Sequence, residues 1–172
     1  MVALPNSIIS MAPLPSRATL LRLEQEARRF GSGVQADQLS GCWRLRSTWK
    51  RCGHPSAQAI DFLLCALNAC LILTKSIRND RFKIVNQVSL GSLQLSFQGL
   101  AHLKGKRPLL CFKFVVIELK LGNQTLLKQA IKSPAFQRQP FFALISLDPV
   151  HGWLIARGRG GGLALWTSQL KV

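Results

Sequence analysis

Tyrosine is absent from this sequence of 172 residues, histidine occurs three times (His54, His102 and His151), and only seven residues are acidic. Nucleophilic catalysis needs a serine or cysteine held near a histidine that a carboxylate orients. General acid–base hydrolysis needs paired carboxylates in a cleft. The few histidines and carboxylates here form neither pattern, and His151 beside Asp148 reads as a solvated pair in a turn. The chain is therefore read as a non-enzyme with no cofactor.

The five cysteines, Cys42, Cys52, Cys65, Cys70 and Cys111, include no C-x-x-C. Zinc wants four closely grouped ligands. Cys52 and His54 are the only near neighbours of different type, so no metal site is expected. An odd number of cysteines without a secretory signal favours reduced thiols.

Long apolar runs are scarce as well. "AIDFLLCALNACLILT" is the one continuous stretch, and Asp61 and Asn68 interrupt it. It is shorter than the roughly 18 to 20 residues a spanning helix needs. A short buried helix is expected there, with a strand pair as the alternative and no transmembrane span. The first residues, "MVALPNSIISMAPLPSRATLL", lack acidic groups in the manner of a transit peptide, but Pro5, Pro13 and Pro15 break them up. No basic segment precedes an apolar core. Residues 1–15 read as a flexible tail, with Met11 an alternative start, and residues 16–172 as one domain.

What the chain does have is positive charge and apolar content. Lysine and arginine number 23, for a formal net charge of +16, and 48% of residues are hydrophobic. The second figure excludes a disordered chain. The first attracts polyanions, either nucleic acid or an anionic membrane surface.

Periodicity then divides the sequence. Ser16 is a candidate helix N-cap, Leu20, Leu23, Ala27 and Phe30 recur at helical spacing, and Gly31 can end the helix. One amphipathic helix is expected. From Cys42 the period falls to two. Trp43, Leu45, Ser47 and Trp49 share one strand face, and Arg44, Arg46, Thr48 and Lys50 share the other.

Further strands follow in "RFKIVNQVSL", "SLQLSFQG", "LLCFKFVVIELKL", "QTLLKQAI", "FFALISL", "GWLIARG" and "GLALWTS". Gly91-Ser92 and Gly122-Asn123 are hairpin signals. In these strands Phe82 and Ile84 share a face, as do Leu93, Leu95 and Phe97. A helix followed by many short antiparallel strands predicts a mainly β chain closed as a barrel or packed as a sandwich.

"HGWLIARGRGGGLALW" (151–166) is rich in glycine but carries no Lys-[Ser/Thr] after the glycines, so it is no P-loop. It reads as the bend between the last two strands. Trp43 at the first strand and Arg157 near the end suggest a guanidinium stacked on an indole.

"LSGCWRLRSTW" (39–49), "FKIVNQVSL" (82–90) and "GWLIARGRGGGLALW" (152–166) resemble, in that order, landmarks of the plastid lipid-associated proteins, the plastoglobule fibrillins. The matching positions are Trp43, Arg44, Leu45, Phe82, Val85, Asn86, Arg157 and Gly158. The family's usual tyrosine and aspartates ahead of the final Arg-Gly are missing.

The resemblance implies a lipocalin-like antiparallel β-barrel that binds a lipid, fatty acid, quinone or isoprenoid without catalysis. Its setting would be a photosynthetic membrane or lipid body. On that reading Trp43, Leu45, Trp49, Phe82, Ile84 and Phe97 line the interior, and Trp43 with Arg157 closes one end. Arg44, Arg46, Lys50 and Arg51 meet the anionic membrane. The compartment would be a plastid, or a cyanobacterial cytoplasm and thylakoid periphery, and the chain would not be secreted. The alternatives are an RNA- or ribosome-associated basic β-domain and a scaffold for assembling a photosynthetic complex.

Overall fold

The computed structural model describes residues 14–50, 68–76, 81–132 and 139–169. Helix α1 spans Arg17–Phe30, and a single 3-10 turn at Asp37–Leu39 leads into the sheet. The strands are β1 (Gly41–Trp49), β2 (Cys70–Lys75), β3 (Arg81–Leu90), β4 (Leu93–Lys104) and β5 (Leu109–Leu121), then β6 (Gln124–Ala130), β7 (Phe141–Asp148), β8 (Trp153–Gly158) and β9 (Leu163–Gln169). The chain is mainly β.

The helix is bounded as its sequence dictates. The Ser16 side chain accepts from the Thr19 amide at 3.3 Å, and the Gly31 amide donates to the Ala27 carbonyl at 3.1 Å. Gly91 and Gly122 open the β3–β4 and β5–β6 hairpins at φ +57° and +56°, a region that side chains with a Cβ avoid.

Every pairing is antiparallel, in the order β4-β3-β2-β1-β9-β8-β7-β5-β6. Because β4 also pairs with β5, the nine-stranded sheet closes in a ring. Strand β5 makes the closure and exceeds it. Its first residues, Leu109 to Cys111, pair with β7, whereas Val116 to Leu121 pair with β6. The far ends of β3, β4 and β5, together with β6, thus form an extension of the closed circuit.

Strand alternation gives two apolar clusters, one on each side of the sheet. The inner one contains Trp43, Leu73, Phe82, Ile84, Leu110 and Leu154, all at 4% exposure or less. Val34 and Leu39, from the segment before β1, join it, and the Trp43 indole Nε1 donates to the Leu39 carbonyl at 2.9 Å. The outer cluster is the seat of α1, where Leu20 and Ala27 meet Ile145, Ile155, Leu163 and Leu165. Burying each such large side chain is worth about 1.5–3 kcal/mol. Among the described residues, no helix is long and apolar enough to cross a membrane.

Four expectations need correction. In the run at residues 59–74, where a buried helix is expected and a strand pair is the alternative, Cys70–Lys75 is strand β2, paired to β1 and β3. Residues 59–67 of the run lie outside the described residues, as do residues 1–13 of the expected tail. Trp49 does not share a face with Trp43 and Leu45. The register of β1 against β9 shifts between Leu45 and Ser47, so the alternation reverses, and Trp49 packs in the outer cluster.

Phe30, expected on the buried stripe of α1, is 84% exposed at the last helical position. Finally, Cys42 and Cys70 form a disulfide rather than standing as reduced thiols. The β1–β2 register sets Cys42 opposite Ile72 and Arg44 opposite Cys70, a diagonal pair with Cα atoms 6.6 Å apart. Counting cysteines cannot detect a pair 28 residues apart that the sheet brings together.

Candidate functional site

The extension of the ring carries one apolar row across all four of its strands, bordered on the same face by Gln124 and Gln129 of β6, opposite Leu121 and Ile117. Residues paired across strands point to the same side of a sheet. Val88 faces Leu95, Leu95 faces Leu119, and Leu119 faces Leu127. The next row joins Leu90, Leu93 and Leu121. The reverse face carries the row Gln87, Ser96, Glu118 and Lys128.

The polar face satisfies itself. Glu118 is buried and accepts from Gln98 Nε2 at 2.9 Å, with the ammonium groups of Lys120 and Lys128 at 3.5 and 3.7 Å. The apolar face is partly exposed. Leu90, Leu93, Leu121 and Leu127 are 62%, 39%, 46% and 46% exposed. This face continues the inner face of the ring, since Phe97 on β4 stands opposite Asn86 and Ile117 in the row that begins with Trp43 and Leu71.

A line of aromatic rings joins the open face to the interior. Phe97 lies 5.7 Å from Phe114, Phe114 5.3 Å from Phe112, Phe112 5.1 Å from Phe142, and Phe142 5.4 Å from Trp166, centroid to centroid. These are the tilted and edge-on contacts that aromatic pairs prefer. Gly99 makes the line possible. A Cβ there would sit 1.9 Å from the Lys113 carbonyl oxygen, at the bulge that turns β4 and β5 out of the closed ring.

The residues expected to line an interior site divide along this gradient. Trp43, Phe82 and Ile84 are within the closed core. Leu45 packs against that core half-buried, and Phe97 is half-buried at the start of the aromatic line. Trp49 is outside, as described. Missed in the sequence were Phe114, Leu90, Leu121 and Leu127. Their alternation was legible, but nothing in the sequence tells how far these side chains stay exposed.

The expected stacking of Arg157 on Trp43 is not what the structure holds. Arg157 follows Ile155 at strand spacing, so it lies on the outer face, opposite to Trp43. Its guanidinium grips Glu24 of α1, with Nε donating to Oε1 at 2.6 Å and Nη2 donating to Oε2, while Nη1 donates to the Gly161 carbonyl. Arg28 donates to the same carboxylate at 2.8 Å, and Arg107 stands 4.0 Å from it. The end of the ring near Trp43 is instead closed by Leu39.

Burial acts to raise the pKa of Glu24, but the hydrogen bonds and charges of Arg157 and Arg28 outweigh it and hold the carboxyl below its ordinary value. The pair clasps the helix to the ring. Asp148 follows the same logic in a turn. Burial acts to raise it, and its bonds to His151 and to the Val150 and His151 amides bring it below its ordinary value.

Of the expected membrane-facing cations, Arg44 and Arg46 lie on β1, where Arg44 alternates to the outside and Arg46 is exposed at the register shift. Lys50 is exposed just past the strand, and Arg51 lies outside the described residues. The glycine-rich segment is the bend between β8 and β9, with the Gly158 amide donating to the Gly162 carbonyl at 2.8 Å. Among the described residues no three His, Cys, Asp or Glu side chains are grouped to hold a metal ion, and Cys52 and His54 lie outside them. Compared with known proteins, the sequence matches no family model and no curated protein.

Proposed function

We propose that this chain binds and carries a lipid or similar apolar molecule, without catalysis, as a lipocalin-like barrel at the surface of an anionic membrane. The observation that carries this reading is the open leucine face of the extension, continuous through the Phe97–Phe114–Phe112 line with the interior of the ring. A soluble domain rarely leaves such a contiguous apolar surface without an occupant. Each large apolar group covered there would contribute at about 25 cal/mol per Å² of area removed from water.

The polar reverse face suits one-sided contact. Arg44 on the outer face, the exposed Arg46 and Lys50, and a net charge of +16 favour an anionic leaflet. The three short motifs described above point the same way, toward a fatty acid, quinone or isoprenoid at a photosynthetic membrane or lipid body. A scaffold reading, in which the leucine face meets another protein, draws on the filled core around Trp43, Phe82 and Ile84, which leaves that part of the ring to packing.

Lipid extraction and mass spectrometry of the protein purified from its host test the carriage reading. Co-purified apolar molecules, or uptake of fatty acid or quinone by the stripped protein, are expected. An empty protein that takes up neither, and that retains a protein partner through its leucine face, favours the scaffold.

A further inference from the structure

The clasp between α1 and β8 borders a cleft with an unbalanced charge. It encloses about 560 Å³ and is lined by Arg28, Arg107, Arg157 and Arg159, by the glycines of the β8–β9 bend, and by Leu109, Phe141 and Ala143. No acidic residue lines it, and Glu24 is the one carboxylate its arginines reach in the described residues. Setting Arg159 aside, the three guanidiniums of Arg28, Arg107 and Arg157 against the one Glu24 carboxylate leave an excess of two positive charges among the described residues.

The pairing with Glu24 uses Arg157 fully but the others only in part. Arg28 is bonded to Glu24 through Nη2, and Arg107 stays at the 4.0 Å margin, with its buried Nε lacking a partner. A buried N–H without an acceptor carries a desolvation cost, which a ligand oxygen would remove. Arg159 reaches the Gln139 carbonyl at 2.9 Å from the bend. Residues 160 and 161, on the cleft wall, are glycines, so no side chain from them fills it.

We infer that this cleft is a binding site for a phosphate-type oxyanion. A tetrahedral dianion answers an excess of positive charge better than a single carboxylate does, and guanidinium forks match its oxygens pairwise. The volume exceeds what a bare phosphate fills, and Leu109, Phe141 and Ala143 give the remainder an apolar wall. The ligand class is thus a phosphorylated organic anion, whether free in solution or the headgroup of an anionic lipid. This site lies on the outer, helix-bearing side of the sheet and stands independently of any cargo on the leucine face.

The test uses the full chain at constant ionic strength, with Arg159→Gln, Arg107→Gln and the double variant beside the wild type. Circular dichroism confirms that each is folded. Arg159→Gln leaves the Glu24 clasp intact, so it remains informative should Arg107→Gln unfold. Two probes are titrated: inorganic phosphate by calorimetry, and vesicles containing phosphatidic acid by co-sedimentation, with neutral vesicles as reference.

Loss of about tenfold in affinity for both probes on removing either arginine supports a site open to free phosphates. Loss for the vesicles alone, with no phosphate binding, supports the site and assigns it to lipid headgroups. Binding of both probes unchanged in the double variant, or binding of neither by the wild type, overturns the proposal.

Discussion

The closed part of the ring and its extension are built from one pattern and end in opposite states. In both, strands alternate apolar and polar residues. Around Phe82 and Ile84 the apolar face is sealed by the opposite wall of the ring, and both side chains are fully buried. A few residues further on, at Leu90 on β3 and Leu93 opposite it on β4, the identical alternation meets no opposite wall among the described residues, and the leucines stand partly exposed. The difference lies in topology. Strand β5 pairs with β7 for only three residues and then gives its edge to β6, which turns the sheet away from closure.

The comparison predicts a steep gradient in the consequence of substitution. Phe82→Ala opens a cavity in the closed core and should lower unfolding free energy by about 4 kcal/mol, measured by urea titration. A loss under ~1 kcal/mol would mean that the core is loosely filled there. Glu24→Gln should follow at about 3 kcal/mol, because it leaves the guanidinium of Arg157 without its carboxylate in a largely buried site.

That variant also fixes the pH dependence. The folded Glu24 carboxyl titrates below its unfolded value, so its contribution is complete above about pH 4.3 and is lost as pH falls through the lower, folded pKa. An acid-induced loosening of α1 is expected in the wild type, followed by exchange of helix amides, and it should be missing in Glu24→Gln. Reduction of the Cys42–Cys70 disulfide should cost about 2–3 kcal/mol, by freeing a long loop in the unfolded chain. The change is read as a shift in urea midpoint with and without reductant.

At the other end of the gradient, Leu93→Ser with Leu127→Ser should cost least, about 1–2 kcal/mol together, since both side chains are only about half buried. A large loss would show that something covers them.

Much of the fold is legible in the sequence because its signals are local. Ser16 and Gly31 bound the helix, Gly91 and Gly122 mark the hairpins, and strand β3 begins and ends where its alternation does. What escapes are features that depend on pairing between distant segments. The register shift at Leu45–Ser47 is one, since a single inserted residue sends Trp49 to the far face. The β1–β2 pairing that joins Cys42 to Cys70 is another.

Arg157 shows the same limit at the candidate site. Its alternation with Trp153 and Ile155 is legible, but not which side of the sheet that face takes. Glu24, 133 residues away, decides its role. The leucine face is legible as a stripe and illegible as a surface, because exposure reports the absence of a neighbour.

The most direct test of the central claim is uptake of a fluorescent fatty acid by the delipidated protein, with Leu93→Ser/Leu127→Ser compared with the wild type. Saturable binding is expected of the wild type, with a loss of about tenfold or more in the variant while it remains folded by circular dichroism, about 1.4 kcal/mol of binding free energy. Equal binding by both proteins, or no uptake by either, would contradict it.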